Sequence, residues 1–79
     1  MRFAMKITMS TTYPLLIYGD HNQEVEKLQI LLKRKGLYQG EITGIYAEDT
    51  LKAVVAFKLR LKMRDNSVVS SGVWKELNL

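Results

Sequence analysis

The sequence predicts a small all-α domain of three helices, because it contains two amphipathic stretches, a glycine-rich connection between them and an apolar C-terminal segment. In each of the first two stretches the inward-facing side chains recur on one face of a helix. They are Val25, Leu28 and Leu32 in the first, and Thr50, Ala53, Val54, Phe57 and Leu61 in the second. The third segment contributes Val73, Trp74 and Leu77, against which the other two can be buried.

Length and composition describe one folded domain with few options for chemistry. The chain has 79 residues, 47% of them hydrophobic and 25% charged, which is typical of a globular domain. It has no cysteine and a single histidine, His21, so thiolate chemistry and histidine metal clusters are excluded. The sequence therefore predicts no metal and no cofactor.

The net charge of +4 is divided evenly between the N-terminus and the rest of the chain. Residues 1–14 carry Arg2, Lys6 and no acid, whereas residues 15–79 carry 10 basic and 8 acidic side chains, or +2. A domain at +2 is too weakly basic for a nucleic-acid partner. No apolar run is long enough for a membrane span.

The N-terminus has no continuous apolar core of a signal peptide, since Lys6 and Thr8 interrupt it. Two expectations follow for the compartment: the chain is cytoplasmic, or it is exported by a non-Sec leader or by a leader that is not seen here.

Residues 1–13 are predicted to form an N-terminal arm, followed by the domain proper at 14–79. Phe3, Met5, Ile7 and Met9 alternate with more polar or smaller residues, which is typical of a β-strand. One interpretation is an arm that pairs with a partner or with a second copy of the chain, giving weak self-association. The interpretation we favour is a tail that is extended or disordered.

Local signals place the helix ends. Asn22 is a good N-cap for the first helix and Gly36 a good stop. Glu48 and Asp49 suit the positive end of a second helix, which is expected to run to about Lys62. A serine at 70 or 71 is expected to cap the third helix, which is short.

The sequence also contains a short internal repeat at an offset of 23 residues. Residues 43–50 and 66–73 both read as turn, two apolar residues, a small residue, two capping residues and an inward-facing residue. Two copies of a loop-plus-helix unit predict pseudo-symmetric packing.

The ordered series of glycines, aromatic residues and helix positions over residues 15–79 resembles the peptidoglycan-binding domain family. The first half of the pattern comprises Gly19, Val25, Leu28, Gln29, Leu32, Gly36, Tyr38 and Gly40. The second half comprises Gly44, Tyr46, Thr50, Ala53, Val54, Phe57, Trp74 and Leu77. Two departures stand out: Thr43 occupies a position where the family usually has Asp, and Lys58 one where it has Gln. The resemblance implies a three-helix orthogonal bundle with a structured glycine-rich loop.

It also implies a binding module for the glycan strands and stem peptides of bacterial cell wall. Such binding needs aromatic platforms and hydrogen-bonding groups, which the loop side and its flanking helices supply. The candidate ligand-binding residues are Tyr38, Gln39, Thr43, Tyr46, Gln29 and Lys58. Each has a structural alternative: the tyrosines as core packing, Gln29 as a partner of loop backbone, and Lys58 as a solvated helix residue. If Tyr46 is a ligand contact, Tyr46→Ala should leave the melting temperature within a few degrees.

Catalysis is not predicted. Ser70 and Ser71 have no positioned histidine, and Glu48 and Asp49 are neighbours that do not face each other across a cleft. The main alternative function is a protein-interaction module built on the same fold. Such a module could act in the cytoplasm, with the N-terminal arm contributing to association with a partner or with a second copy. A helix-turn-helix reader of nucleic acid is disfavoured, because the connection between the helices is too long and the second helix begins with two acids.

Overall fold

The described part of the chain folds into three helices with loops between them. A computed structural model describes residues 14–63 and 66–78. The helices are α1 (Gln23–Arg34), α2 (Glu48–Arg60) and α3 (Ser71–Leu77). Within those ranges the only β structure is two isolated bridges, so the predicted all-α architecture is confirmed. The proposed arm at residues 1–13, with its strand-like alternation, lies outside the described residues.

Local capping determines where α1 begins and ends. Asn22 is extended, and its Oδ1 accepts a hydrogen bond from Val25 N at 3.0 Å, as an N-cap does. At the other end Gly36 has φ +79°. Its N donates to the Lys33 carbonyl and Leu37 N to the Leu32 carbonyl, each at 3.0 Å. This pair of bonds is the Schellman motif, so both predicted ends of α1 are confirmed.

The other two helices differ slightly from prediction. The second helix ends at Arg60 rather than near Lys62, and Lys62 itself has φ 62°. Ser70 occupies the N-cap position of α3, but its side chain makes no capping hydrogen bond. The extended backbone of Ser70 is enough to start the helix, since its carbonyl accepts from Val73 N and Trp74 N at 3.1 Å.

The three predicted stripes converge on one core. Nearly all the residues named from periodicity are buried, and only Leu61, at the end of the second stripe, is half-buried. Trp74 is 3% exposed, and its indole N–H donates to the Pro14 carbonyl at 2.8 Å. The buried indole thereby has the partner that such a group requires.

A leading segment, residues 14–22, connects both loops to the core. Leu16 pairs with Val69, and His21 pairs with Ile45, both in antiparallel bridges. In the apolar run 15–18 only Leu16 is buried. The segment therefore acts as a backbone tie between the two loops, with most of its apolar side chains facing outward.

The predicted repeat agrees with the pattern of burial. Three pairs of positions 23 residues apart are buried in both copies: 46 and 69, 50 and 73, and 54 and 77. Each copy is a loop that meets the leading segment and then enters a helix. No helix within the described ranges is long and apolar enough to traverse a lipid bilayer.

Candidate functional site

Gln29 lies on the buried stripe of α1 and organises the loop between α1 and α2. Its side chain is fully buried. The amide oxygen Oε1 accepts from Thr43 N at 2.9 Å and Gly44 N at 3.0 Å. The two N–H groups of Nε2 are shared among three acceptors, Thr43 Oγ1, the Ile45 carbonyl and Thr50 Oγ1, at 3.2, 3.1 and 3.0 Å. The structure thus supports the alternative in which Gln29 satisfies the loop backbone from inside the fold.

Two glycines let the loop pack this closely. Gly44 has φ +78°, and a Cβ there would lie 3.2 Å from the Asn22 carbonyl oxygen. At Gly40 a Cβ would lie 2.7 Å from Asp49 Oδ2 and 2.8 Å from the Tyr38 hydroxyl. Gly44 therefore serves a left-handed turn, whereas Gly40 serves a close approach between the loop and the start of α2.

The two loop tyrosines are interior residues, with exposed fractions of 2% for Tyr38 and 1% for Tyr46. The Tyr38 hydroxyl donates to the Glu41 carbonyl at 2.6 Å, and the Tyr46 hydroxyl donates to the Ser67 carbonyl. Burial raises the pKa of both phenols, and the carboxylates of Asp49 and Asp20 add to the rise at Tyr38 and Tyr46 respectively. The structure places neither ring as a surface platform, because each packs inward to close its loop against the core.

Lys58 holds the loop between α2 and α3, as Gln29 holds the loop between α1 and α2. It is 6% exposed, and its Nζ donates to Asn66 Oδ1 at 2.5 Å and to the Val68 carbonyl at 2.8 Å. Burial lowers the pKa of this ammonium group. The alternative of a solvated helix residue is wrong. Lys58 cannot accept a hydrogen bond from loop backbone as the Gln29 amide oxygen does. In this loop the backbone N–H of Val68 therefore donates to Asn66 Oδ1, at 3.1 Å.

The remaining two candidates are at the surface. Gln39 is exposed, and its Nε2 donates to the Gly36 carbonyl at 3.3 Å. Thr43 is exposed as a residue, although its Oγ1 also accepts from Ile45 N at 3.1 Å. Of the six candidates, only these two present substantial surface to a ligand; the other four hold loops in place.

Thr43 belongs to a set of four exposed side chains along the pairing between the leading segment and the loop from α1 to α2, and the sequence reasoning did not single out the other three. We call this set the loop face: Tyr18, His21, Thr43 and Ile45. Across the bridge of His21 and Ile45, Asn22 N donates to the Gly44 carbonyl at 3.0 Å and Tyr46 N to the Asp20 carbonyl at 2.8 Å. That arrangement makes His21 and Ile45 a non-hydrogen-bonded pair, in which side chains are closest.

Tyr18 completes the loop face. Tyr18 is 53% exposed as a residue, and the centroid of its ring lies 6.4 Å from that of Tyr46 with the two rings tilted by 60°, which is a favourable aromatic geometry. Its backbone is held in a turn, because Asp20 Oδ2 accepts from Ile17 N at 2.9 Å and Asp20 N donates to the Ile17 carbonyl at 3.1 Å. The sequence signal for this surface was the turn residues that follow the apolar run 15–18.

The charged groups near the loop form no metal site. Within residues 14–63 and 66–78, no three His, Asp or Glu side chains are grouped so as to hold a metal ion. The Asp49 carboxylate at the start of α2 accepts from Thr50 N at 2.8 Å and lies 3.5 Å from the Tyr38 hydroxyl.

Comparisons with known proteins agree with this architecture. Residues 21–77 match the family model described as "Putative peptidoglycan binding domain". No curated protein sequence matches the chain significantly. Among solved structures, the SleB N-terminal domain is similar with a TM-score of 0.80 and 21% identity, over 85% of this chain and 92% of that one.

A peptidoglycan-binding protein from Clostridioides difficile, solved in complex with glutamine hydroxamate, is also similar. It has a TM-score of 0.77 and 25% identity over 82% of this chain, which spans only 40% of that longer chain. Because the family model covers most of the sequence and the structures share the fold, the chain belongs to the family of peptidoglycan-binding domains.

Proposed function

We propose that this chain is a non-catalytic module that binds peptidoglycan through its loop face. The observation that carries the proposal is membership of the peptidoglycan-binding domain family over residues 21–77. The loop face lies within or next to that range and presents an aromatic ring, an aliphatic side chain and two hydrogen-bonding side chains to solvent.

The chemistry of the loop face suits a polymer of sugars and short peptides. The half-exposed ring of Tyr18 and the side chain of Ile45 offer apolar surface for the C–H face of a sugar. Thr43 and His21 offer a hydroxyl and an imidazole to sugar hydroxyls or amide groups. Gln39, at the start of the same loop, adds a side-chain amide.

The four buried candidates contribute indirectly. Gln29, Tyr38 and Tyr46 fasten the first loop, and Lys58 fastens the second. A surface that is already ordered loses less conformational entropy when it binds. The proposal therefore divides the six original candidates into contact residues, Gln39 and Thr43, and four positioning residues.

Binding without catalysis is supported by the surroundings of the polar groups. Asp49 is engaged by Thr50 N. His21 pairs with the aliphatic Ile45 in a backbone bridge, and within residues 14–63 and 66–78 the only salt bridge joins Lys27 to Glu24, so no described acid is paired with His21 as it would be in a general base. Few contacts on a shallow face give weak affinity, so retention on the wall depends on several modules or on a fused partner.

The test is co-sedimentation of the purified protein with bacterial sacculi, at low and at physiological salt. We expect saturable binding at physiological salt that weakens in Tyr18→Ser. The matched control is Leu59→Ser, because Leu59 on α2 is 55% exposed and Tyr18 is 53% exposed. Both variants should keep the melting temperature of the parent within a few degrees.

Three other outcomes contradict the proposal in different ways. Binding at low salt alone is charge attraction to an anionic wall. Equal weakening in both variants indicates nonspecific apolar adsorption. Absence of binding at both salts favours the alternative function, a protein-interaction module on the same fold, and the exposed side chains of the loop face become its first candidate surface.

A further inference from the structure

A second surface lies away from the loop face, where the C-terminal ends of α1 and α3 come together. It is a cleft of about 260 Å³ lined by Leu31, Arg34, Lys35, Leu77 and Asn78. This volume is slightly below the roughly 300–1,000 Å³ typical of sites for drug-sized ligands. The cleft therefore has room for a group the size of one or two amino-acid residues.

The cleft is cationic, and its charges are not neutralised within the described part of the chain. The only salt bridge found in residues 14–63 and 66–78 joins Lys27 to Glu24, so neither Arg34 nor Lys35 is paired with a described acid. Among the described residues, no acidic side chain lines the cleft. The electrostatic complement of this site is an anion.

Stabilisation of the helix end explains only part of this charge. Basic residues in the last turn suit the negative end of a helix, and by themselves they indicate no ligand. However, the Leu31, Leu32 and Lys33 carbonyls already accept backbone N–H groups at 3.0 to 3.1 Å. The two cationic side chains are therefore not needed as caps, and they border a concave site.

The rest of the lining suits a peptide more than a bare inorganic ion. Leu31 and Leu77 provide apolar walls. Asn78 Nδ2 donates to the Trp74 carbonyl at 2.8 Å, which orients the side chain and leaves its Oδ1 as an acceptor for an amide N–H. A carboxylate facing Arg34 and Lys35, a small side chain against the leucines and an amide N–H facing Asn78 together match the C-terminal end of a short peptide.

We propose that this cleft binds the terminal carboxylate of a short peptide, the peptide component of the wall polymer. The identity of the polymer rests on the proposed function, whereas the recognition of a carboxylate rests on the residues of the cleft. Arg34 supplies a guanidinium that can hold both carboxylate oxygens, and Lys35 supplies a second positive charge.

The test is an NMR titration of the isotope-labelled protein with N-acetyl-alanyl-alanine, in D and L forms, and with the same dipeptide as its C-terminal amide. We expect saturable shifts of the backbone amides of the five cleft residues for the carboxylate. The amide should bind about tenfold more weakly or worse, as expected for the loss of a charge-assisted hydrogen bond. Arg34→Gln should weaken carboxylate binding by a similar factor.

Arg60→Gln is the matched control, because Arg60 is also exposed in the last turn of a helix and does not line the cleft. It removes the same charge and should leave the dipeptide affinity unchanged. The proposal is overturned by equal binding of carboxylate and amide, by equal effects of the two substitutions, or by no cleft shifts at millimolar dipeptide.

The sacculus assay separates this proposal from the previous one. Sacculus binding that depends on Tyr18, with no dipeptide binding, refutes the cleft and leaves the loop face intact. Dipeptide binding in the cleft, with no sacculus binding, refutes the wall-binding function and leaves the carboxylate site intact.

Discussion

Replacing Gln29 is the sharpest test of how this fold positions its loop. Gln29→Leu keeps the approximate volume and the helix preference of the side chain but removes the amide and with it all of its hydrogen bonds. Gly44 N–H is left buried with no acceptor, and Thr43 N–H and the Ile45 carbonyl lose their partners in a partly buried site.

The expected cost follows from these three groups. A buried donor or acceptor without a partner costs about 1–3 kcal/mol, and the two partly buried groups belong at the lower end because water reaches them. The sum is about 3–5 kcal/mol. A domain of this length has a total stability of roughly 4–12 kcal/mol, so the variant should lose a large fraction of it.

The measurement is urea unfolding followed by the fluorescence of Trp74, the only tryptophan in the chain. Because Trp74 is 3% exposed, its emission reports the opening of the core. A loss below about 1 kcal/mol in Gln29→Leu would show that Gln29 does not hold the loop, since that is the net contribution of a single ordinary hydrogen bond.

Gln29→Glu is a matched variant that keeps the acceptor and removes the donor. The carboxylate can still accept from Gly44 N, but it faces the Ile45 carbonyl oxygen, which repels it. Burial and this repulsion raise the pKa of the new carboxyl in the folded state above its usual value of about 4.3. The destabilisation caused by the ionised carboxylate is therefore absent below about pH 4.3 and grows as the pH rises through the folded-state pKa. The stability difference from the parent must increase with pH; a difference that is constant from pH 4 to pH 7 contradicts the assignment.

The remaining predictions concern packing at Gly40 and the buried phenol of Tyr46. Gly40→Ala should destabilise the fold by about 1–3 kcal/mol in urea unfolding, because the new Cβ would lie 2.9 Å from Cζ of the buried Tyr38 ring. Tyr46→Phe should cost about 1–2 kcal/mol at neutral pH, because the Ser67 carbonyl loses its donor. The raised pKa of Tyr46 also stabilises the folded state below pH 10, an advantage that is lost as the pH rises further. Between pH 10 and 11 the parent should therefore lose about 1 kcal/mol more stability than Tyr46→Phe.

Each of these has its own control. Gly72→Ala places a Cβ no closer than 3.6 Å to the Met63 side chain, so it should be neutral or stabilising by up to about 1 kcal/mol in α3. Equal effects of the two glycine substitutions would contradict the close approach at Gly40. For Tyr46, unchanged stability of Tyr46→Ala would support the earlier expectation of a surface contact. The buried ring predicts instead a loss of several kcal/mol.

Local patterns determined most of the helical architecture. The N-cap at Asn22, the stop at Gly36 and the buried stripes were all readable from sequence, because capping and helical periodicity act within about one turn of the chain. The family resemblance was readable for the same reason, since its pattern is an ordered set of such local features. Burial at equivalent positions of the two loop-helix units also followed from the repeat.

Tertiary structure alone decided which partners Gln29 and Lys58 find in the interior. Gln29 reaches groups of the loop and of α2 that are 14 to 21 residues away, and Lys58 reaches groups 8 and 10 residues away. Periodicity carries no information about such distant partners, so a buried glutamine and a surface glutamine look alike in sequence. The loop face also could not be predicted from sequence. Tyr18 and His21 meet the first loop only because the leading segment pairs with that loop through backbone hydrogen bonds, and backbone pairing places little demand on side-chain identity.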